Sequence, residues 1–237
     1  MLVILATRTF TPEPTAAALR LGALARALAA GGDRVRVLTS RLAPSVARDA
    51  CRLADGGVEP GEGRGLVEVR RAPVLRDRTG AVRGYVSYMS FDVPLVARLL
   101  TGPRPDVVVS EPPPTTGAAV RIACVARRVP YVYYCADIVS DAAALAGVPG
   151  LVVRAVAGLE SFALRGARRV IAVSDGVARR ARDLGARDVV VVPNGVRVPD
   201  AVAAGTPEGF PACDGPVFVY AGTVAQWLAP EVFVDAF

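Results

Sequence analysis

Residues Met1–Ser40 read MLVILATRTF TPEPTAAALR LGALARALAA GGDRVRVLTS, and they hold one complete strand–helix–strand unit. Leu2–Ala6 is a short, wholly apolar run, as expected of a strand covered on both faces. Across Thr15–Ala30 the residues Ala17, Leu21, Leu24 and Leu28 recur at helical spacing on one face, and Gly31-Gly32 stops the pattern. Arg34–Thr39 then returns to alternating valines, a second strand.

The same alternation continues outward. Strands are predicted at Gly65–Arg70, Asp106–Ser110, Pro130–Tyr134, Arg169–Val173 and Asp188–Val192. Helices are predicted at Gly84–Leu100, Thr115–Arg128, Pro149–Leu164 and Gly176–Leu184. Strand and helix in repeated succession imply an α/β fold: a Rossmann-like, doubly wound parallel sheet with right-handed crossovers and helices on both faces. The pattern breaks after Val192. Residues 199–216 hold Pro199, Pro207, Pro211 and Pro216 with three glycines, the composition of a linker. Val217–Ala221 then opens another strand and Pro230–Phe237 another helix, so residues 217–237 read as the start of an incomplete second domain after a first domain at 1–198.

Composition narrows the chemistry. The chain is 52% hydrophobic and 21% charged, enough to bury a core. It has no histidine, and all 28 basic residues are arginine. That removes a histidine base, a Ser-His-Asp triad and a histidine metal ligand. Cys51, Cys124, Cys135 and Cys213 form no CxxC pair and read as reduced thiols. The net charge of +6 is uneven, because every arginine precedes residue 201. Such a basic body suits nucleotide phosphates, anionic headgroups or nucleic acid. No helix-turn-helix spacing, aromatic sheet motif or zinc knuckle supports nucleic acid. No apolar stretch is long enough to span a bilayer, and the N-terminus lacks a basic leader, so a cytoplasmic protein is expected.

Ligands of open α/β sheets sit beyond the carboxyl ends of the strands. The loop after the first strand has no glycine before Gly22, which argues against a dinucleotide site, and without lysine there is no P-loop. Within that loop Glu13 reads either as a first-turn acid or as a contact to a substrate hydroxyl. Glu111-Pro112-Pro113-Pro114 forms a rigid lip ahead of Thr115 and Thr116, which either cap the helix or bind an anion. Asp137 and Asp141, in CADIVSD, would share a face if that loop were helical, as a carboxylate pair or as capping acids. Arg70, Arg71, Arg76, Arg78 and Arg83 precede Tyr85, Tyr88 and Phe91, and read as a membrane or phosphate patch or as a solvated loop. Arg179, Arg180 and Arg182 share a helix face.

Six ordered stretches carry a resemblance: Pro12–Thr15, Leu21–Ser40, Arg104–Pro114, Val129–Ala143, Val170–Val196 and Val219–Ala236. Together the chain resembles the family 4 glycosyltransferases of the GT-B fold, in the branch that builds bacterial capsule and exopolysaccharide. The resemblance implies two Rossmann-like domains across a cleft, the first holding the acceptor and the second the nucleotide-sugar donor, a UDP-sugar. It implies retention of configuration, no metal and no other cofactor. The acceptor would be a glycan or polyprenyl-linked, at an anionic inner-membrane surface. Thr11, Pro12, Glu13, Pro14 and Thr15 would line the cleft near the transferred sugar and the donor phosphates, with Asp137 positioning the reacting sugar and Asp141 beside it. Asn194 and Gly195 would sit near the hinge, and Gly222, Thr223 and Gln226 would open the donor side.

Two departures accompany this. Ala16-Ala17 stand where the family often has a glycine turn, and the family's glutamate pair and leaving-group cations would lie beyond Phe237. Departure of a nucleoside diphosphate needs its developing charge stabilised, so this chain is expected to be a fragment inactive alone. The alternatives are a non-catalytic acceptor-binding module and a nucleotide-sugar 2-epimerase.

Overall fold

The computed structural model describes residues 1–44, 46–47, 66–77, 82, 84–195, 217, 219 and 230–236. The chain divides into two compact units, Met1–Asn194 and Gly195–Phe237. In the first, strands β1 (Leu2–Ala6), β2 (Arg34–Ser40), β3 (Val67–Ala72), β4 (Val107–Ser110), β5 (Tyr131–Cys135), β6 (Arg169–Ala172) and β7 (Val189–Val191) form one sheet. Its order is β3-β2-β1-β4-β5-β6-β7, and every neighbouring pair is parallel. This is the expected doubly wound α/β arrangement. In the second unit the predicted strand and the linker lie outside the described residues, apart from Val217 and Val219, and a short helix spans Pro230–Asp235.

Helix α1 (Ala16–Ala30) lies on one face of the sheet. Thr15 caps it, its hydroxyl accepting the Ala18 N–H at 3.1 Å, and Gly32 at φ +90° turns the chain away. Its buried stripe is Ala18, Leu21, Gly22, Ala25 and Ala29 rather than the leucine ridge expected from the sequence. Leu24 and Leu28 flank that stripe, packed against Val3, Leu5, Val35 and Val37. Small residues at the centre let the helix lie close. A Cβ on Gly22 would stand 2.8 Å from Thr11 Cγ2 in the loop after β1.

The other face carries α2 (Tyr85–Thr101), α3 (Pro114–Arg127) and α5 (Gly150–Gly166), with α6 (Asp175–Asp183) beyond. Phe91, Leu95 and Leu99 of α2 and Val120 and Ala123 of α3 pack on Ile4, Ala6, Leu38 and Val108. Each such side chain, fully buried, is worth about 1.5–3 kcal/mol. Gly117 brings α3 against its neighbours, since a Cβ there would meet Tyr133 Cε2 at 2.5 Å and Ala163 Cβ at 2.8 Å.

A short helix α4 (Val139–Leu145) follows β5. Its own sequence supplies no side-chain cap. Glu160 of α5, fully buried, does so instead: it accepts the Val139 N–H at 2.8 Å, the Ser140 N–H at 3.2 Å and the Ser140 hydroxyl at 2.6 Å.

Candidate functional site

β1 and β4 lie side by side at the centre of the sheet, and the strand order reverses between them. Ligands bind at such switch points in open α/β sheets. Two loops meet there, Thr7–Thr15 after β1 and Glu111–Pro113 after β4. Thr7 Oγ1 and Glu111 Oε1 are 2.5 Å apart, both side chains buried. Thr7 Oγ1 also donates to the Thr9 carbonyl at 2.8 Å and accepts the Thr9 N–H at 3.2 Å. A hydroxyl has one proton to give. That proton is shared between Glu111 Oε1 and the Thr9 carbonyl, so the Thr7 bond favours the ionised carboxylate while burial favours the protonated one. Burial pushes Glu111 up to about 7, opposed by the Thr7 hydrogen bond, Arg20 and Arg8 and aided by Asp137.

A raised carboxyl pKa means the folded chain holds this proton where the unfolded chain has lost it. The stabilisation is full below about pH 4.5 and disappears as pH rises through 7. Without histidine in the chain, that window is otherwise nearly free of titrating side chains. Between pH 5 and pH 8, wild type is expected to lose about 2–3 kcal/mol more stability than Glu111→Gln. Urea denaturation of both proteins at each pH checks this, and parallel losses would show that Glu111 does not hold the proton.

Arg8 fixes the same loop. Its Nη2 reaches Asp92 Oδ2 of α2 at 3.0 Å and Thr115 Oγ1 of α3 at 2.8 Å, and its guanidinium lies 3.8 Å from the centre of the Tyr88 ring. Asp92 also accepts the Thr116 hydroxyl at 2.6 Å. Thr115 and Thr116, read as helix caps or anion ligands, are thus held by this buried pair.

The Thr11–Thr15 segment is held from two sides. Glu13 is buried and its Oε2 accepts the Phe10 N–H at 3.1 Å. Its Oε1 lies 3.8 Å from Arg76, and burial raises its pKa against the pull of the Phe10 N–H, Arg76 and Arg71. Arg71 donates to the Thr11 carbonyl at 2.5 Å and the Ser40 carbonyl at 3.0 Å. Arg76 bonds the Arg41 carbonyl. The Thr11–Pro12 and Pro112–Pro113 peptide bonds are cis. Pro12 and Pro14 are exposed at the loop surface. Of the arginines read either as a membrane or phosphate patch or as a solvated loop, Arg71 and Arg76 are tied into the protein, Arg70 pairs with Glu68, and Arg78 and Arg83 lie outside the described residues.

The two aspartates after β5 separate. Asp137 is exposed ahead of α4, and its charge helps raise the Glu111 pKa. Asp141 lies in the first turn of α4 and makes a two-pronged pair with Arg180 of α6, at 2.8 Å and 2.9 Å. Because Ile138 is the helix boundary, the pair does not share one helical face. Asn194 reaches the site through its Oδ1, which accepts the Tyr134 hydroxyl at 3.3 Å, and Gly195 follows it. Arg20 of α1 sits 5.9 Å from the Tyr134 ring, with a buried Nε that has no partner among the described residues. Gly222, Thr223 and Gln226 lie outside the described residues.

The sequence reading did not single out Thr7, Arg8, Arg20, Ser40, Asp92 or Glu160. Only Arg20 left a local signal, an arginine one turn into the helix that follows the first strand. The Arg20 guanidinium lies beside the Tyr134 ring and its charge acts on Glu111. Among the described residues no cluster of three or more acidic, cysteine or histidine side chains could hold a metal ion.

A family profile described as a glycosyl transferase 4-like domain matches residues 15–195. Among solved structures, Arabidopsis thaliana UGT89C1 matches with a TM-score of 0.52 at 12% identity, over 87% of this chain and 52% of that one. Its complex with UDP gives 0.50 at 14%, over 85% and 53%. Anabaena HepE in complex with UDP gives 0.48 at 19%, over 82% and 44%. The chain spans about half the length of these solved chains. No curated protein matches it in sequence. The fold is that of a GT-B amino-terminal domain, and with the profile covering most of its residues the chain belongs to the glycosyl transferase 4-like family.

Proposed function

We propose that the whole protein transfers a sugar from a nucleotide sugar, UDP-linked, to a glycan or polyprenyl-linked acceptor. The reaction is a hexosyl transfer in bacterial surface-polysaccharide synthesis, retaining configuration without a metal, on the cytoplasmic side of the inner membrane. The observation that carries this reading is the family match over residues 15–195. The UDP and UDP-L-rhamnose complexes of UGT89C1 favour a UDP-linked donor. Among the described residues no helix is long and apolar enough to cross a membrane.

In this reading Thr11–Thr15 lines the cleft near the transferred sugar and the donor phosphates, with Glu13 held by the Phe10 N–H and Arg76. Asp137, exposed at the end of β5, orients the transferred sugar. Asp141 supports it from α4 through Arg180, and Asn194 and Gly195 lead toward the donor side, where Gly222, Thr223 and Gln226 belong.

A panel of UDP-sugars offered with polyprenyl-phosphate-linked acceptors to the whole protein is expected to yield glycosylated lipid. Asp137→Ala should lower turnover roughly 100-fold without moving the melting temperature. UDP titrated onto residues 1–237 should give no binding heat, and tight binding would put the donor site in the wrong half. If no donor yields product while acceptor binding persists, the chain is a non-catalytic binding module.

A further inference from the structure

We propose that the amino edge of the sheet carries a binding site for a small ligand with a triphosphate chain. The loops that lead into β5, β6 and β7 surround a cavity of about 670 Å³ at the ends of α3 and α5. Four arginines line it: Arg128 just after α3, Arg165 in the last turn of α5, Arg168 before β6 and Arg187 before β7. All four are exposed, and among the described residues none of their guanidiniums has a hydrogen-bond or ion-pair partner. The acid in the lining is Asp188, whose carboxylate is taken by Arg169 Nε at 2.9 Å.

Arginines near helix ends commonly answer the partial negative charge there. These four are not needed for that. At the end of α5 the Phe162 carbonyl accepts Arg121, the Ala163 carbonyl accepts the Tyr131 hydroxyl, and the Leu164 carbonyl accepts the Ala167 N–H. At the end of α3 the Cys124 and Val125 carbonyls accept the backbone N–H groups of Val129 and Arg128. Other arginines at this edge do spend their guanidiniums on carbonyls: Arg127 bonds Leu99 and Gly102, and Arg104 bonds Arg128.

The backbone favours the cluster at two points. Arg128 stands at φ +52°, the left-handed position after a helix where glycine is usual, and is the one non-glycine residue with positive φ among the described residues. A side chain there is strained, and strain of this kind points to a role. Gly185, at φ +98°, lets the Arg165 side chain cross the turn before β7, because a Cβ there would lie 2.5 Å from Arg165 Nε. The arginine of α5 thereby reaches the loop that carries Arg187.

A guanidinium matches phosphate oxygens with parallel N–H donors. Four around one concavity, with no free carboxylate in its lining, suit a ligand of about four negative charges, the number on a triphosphate chain. Val125 and Pro130 add an apolar wall beside them. The arginines enclose a cavity instead of forming a stripe, which favours a small ligand over a nucleic-acid strand. The edge is opposite to the one bearing Thr7–Thr15 and Glu111, so this site is separate from the candidate site and does not depend on sugar transfer.

The test is isothermal titration of residues 1–237 with tripolyphosphate or ATP, without magnesium. Submillimolar binding is expected for both, and none for inorganic phosphate or UDP, which engage fewer of the four cations. Arg165→Glu and Arg187→Glu should each weaken binding roughly tenfold or more. Arg154→Glu, about three turns earlier on α5, should leave it unchanged. Arg128→Gly should weaken binding roughly fivefold while raising the melting temperature by about 2 °C, a pairing that loss of structure cannot produce. ATP bound more tightly than tripolyphosphate identifies a nucleotide as the ligand, and the reverse a free polyphosphate chain; both support the site. No binding, binding unchanged in the variants, or UDP bound as well as ATP overturns it. Tighter binding of a short single-stranded oligonucleotide, lost in the same variants, would assign the arginines to nucleic acid and overturn it too.

Discussion

Asp92→Ala is expected to destabilise the first unit by about 3–5 kcal/mol, because it leaves the Arg8 guanidinium buried without its counter-charge. Asp92 is 2% exposed and accepts both Arg8 and the Thr116 hydroxyl. The Arg8 Nε is already buried without a partner, so the guanidinium has little water to turn to. Thr115 and the Tyr88 ring remain, but neither carries a negative charge. Urea denaturation followed by circular dichroism measures the loss. The double replacement Arg8→Met with Asp92→Leu should recover most of it, since an apolar pair of similar volume carries no desolvation penalty. A single-variant loss below about 1 kcal/mol would mean the pair is far wetter than its burial indicates.

Glu160→Ala is expected to destabilise by about 3 kcal/mol, through three donors left without an acceptor. The effect is local as well as global. The Val139 and Ser140 amides should lose hydrogen-exchange protection before the core strands do, because nothing else caps α4. Asp137 and Asp141 flank that start, so the site should loosen in the same variant. Uniform exchange across the sheet and α4 would show that Glu160 supports the fold generally and not this helix.

How far the sequence could be read follows from the range of each interaction. Strands and long helices announce themselves by periodicity within a few residues, and β1, β2 and α1 stand within a residue of their expected bounds. In α1 the leucine spacing marks the side that meets the sheet, and close packing puts Ala18, Gly22, Ala25 and Ala29 at its centre with Leu24 and Leu28 at its rim. The α4 helix escaped because its cap arrives from Glu160, 20 residues along the chain. The site was harder still. Arg8 finds Asp92 at a separation of 84 residues and Thr115 at 107, and Thr7 finds Glu111 at 104. No local pattern marks such partners. Glu13 and Asp137 could be singled out as acids in loops after strand ends, whereas Thr7 and Arg8, which directly follow β1, take their roles from partners remote in the chain.

The central pairing of β1 with β4 also governs how this chain must emerge from a ribosome. Leu5 meets Val109 in that register, so β1 leaves the exit tunnel long before its right-hand neighbour has been synthesised. Contacts of such long sequence separation slow folding, because loop closure comes before any reward. For that interval LVILA is a naked apolar segment paired at most with β2. A nascent chain of this design is therefore a natural client for holding chaperones, and its yield in a host will depend on translation pace as much as on final stability.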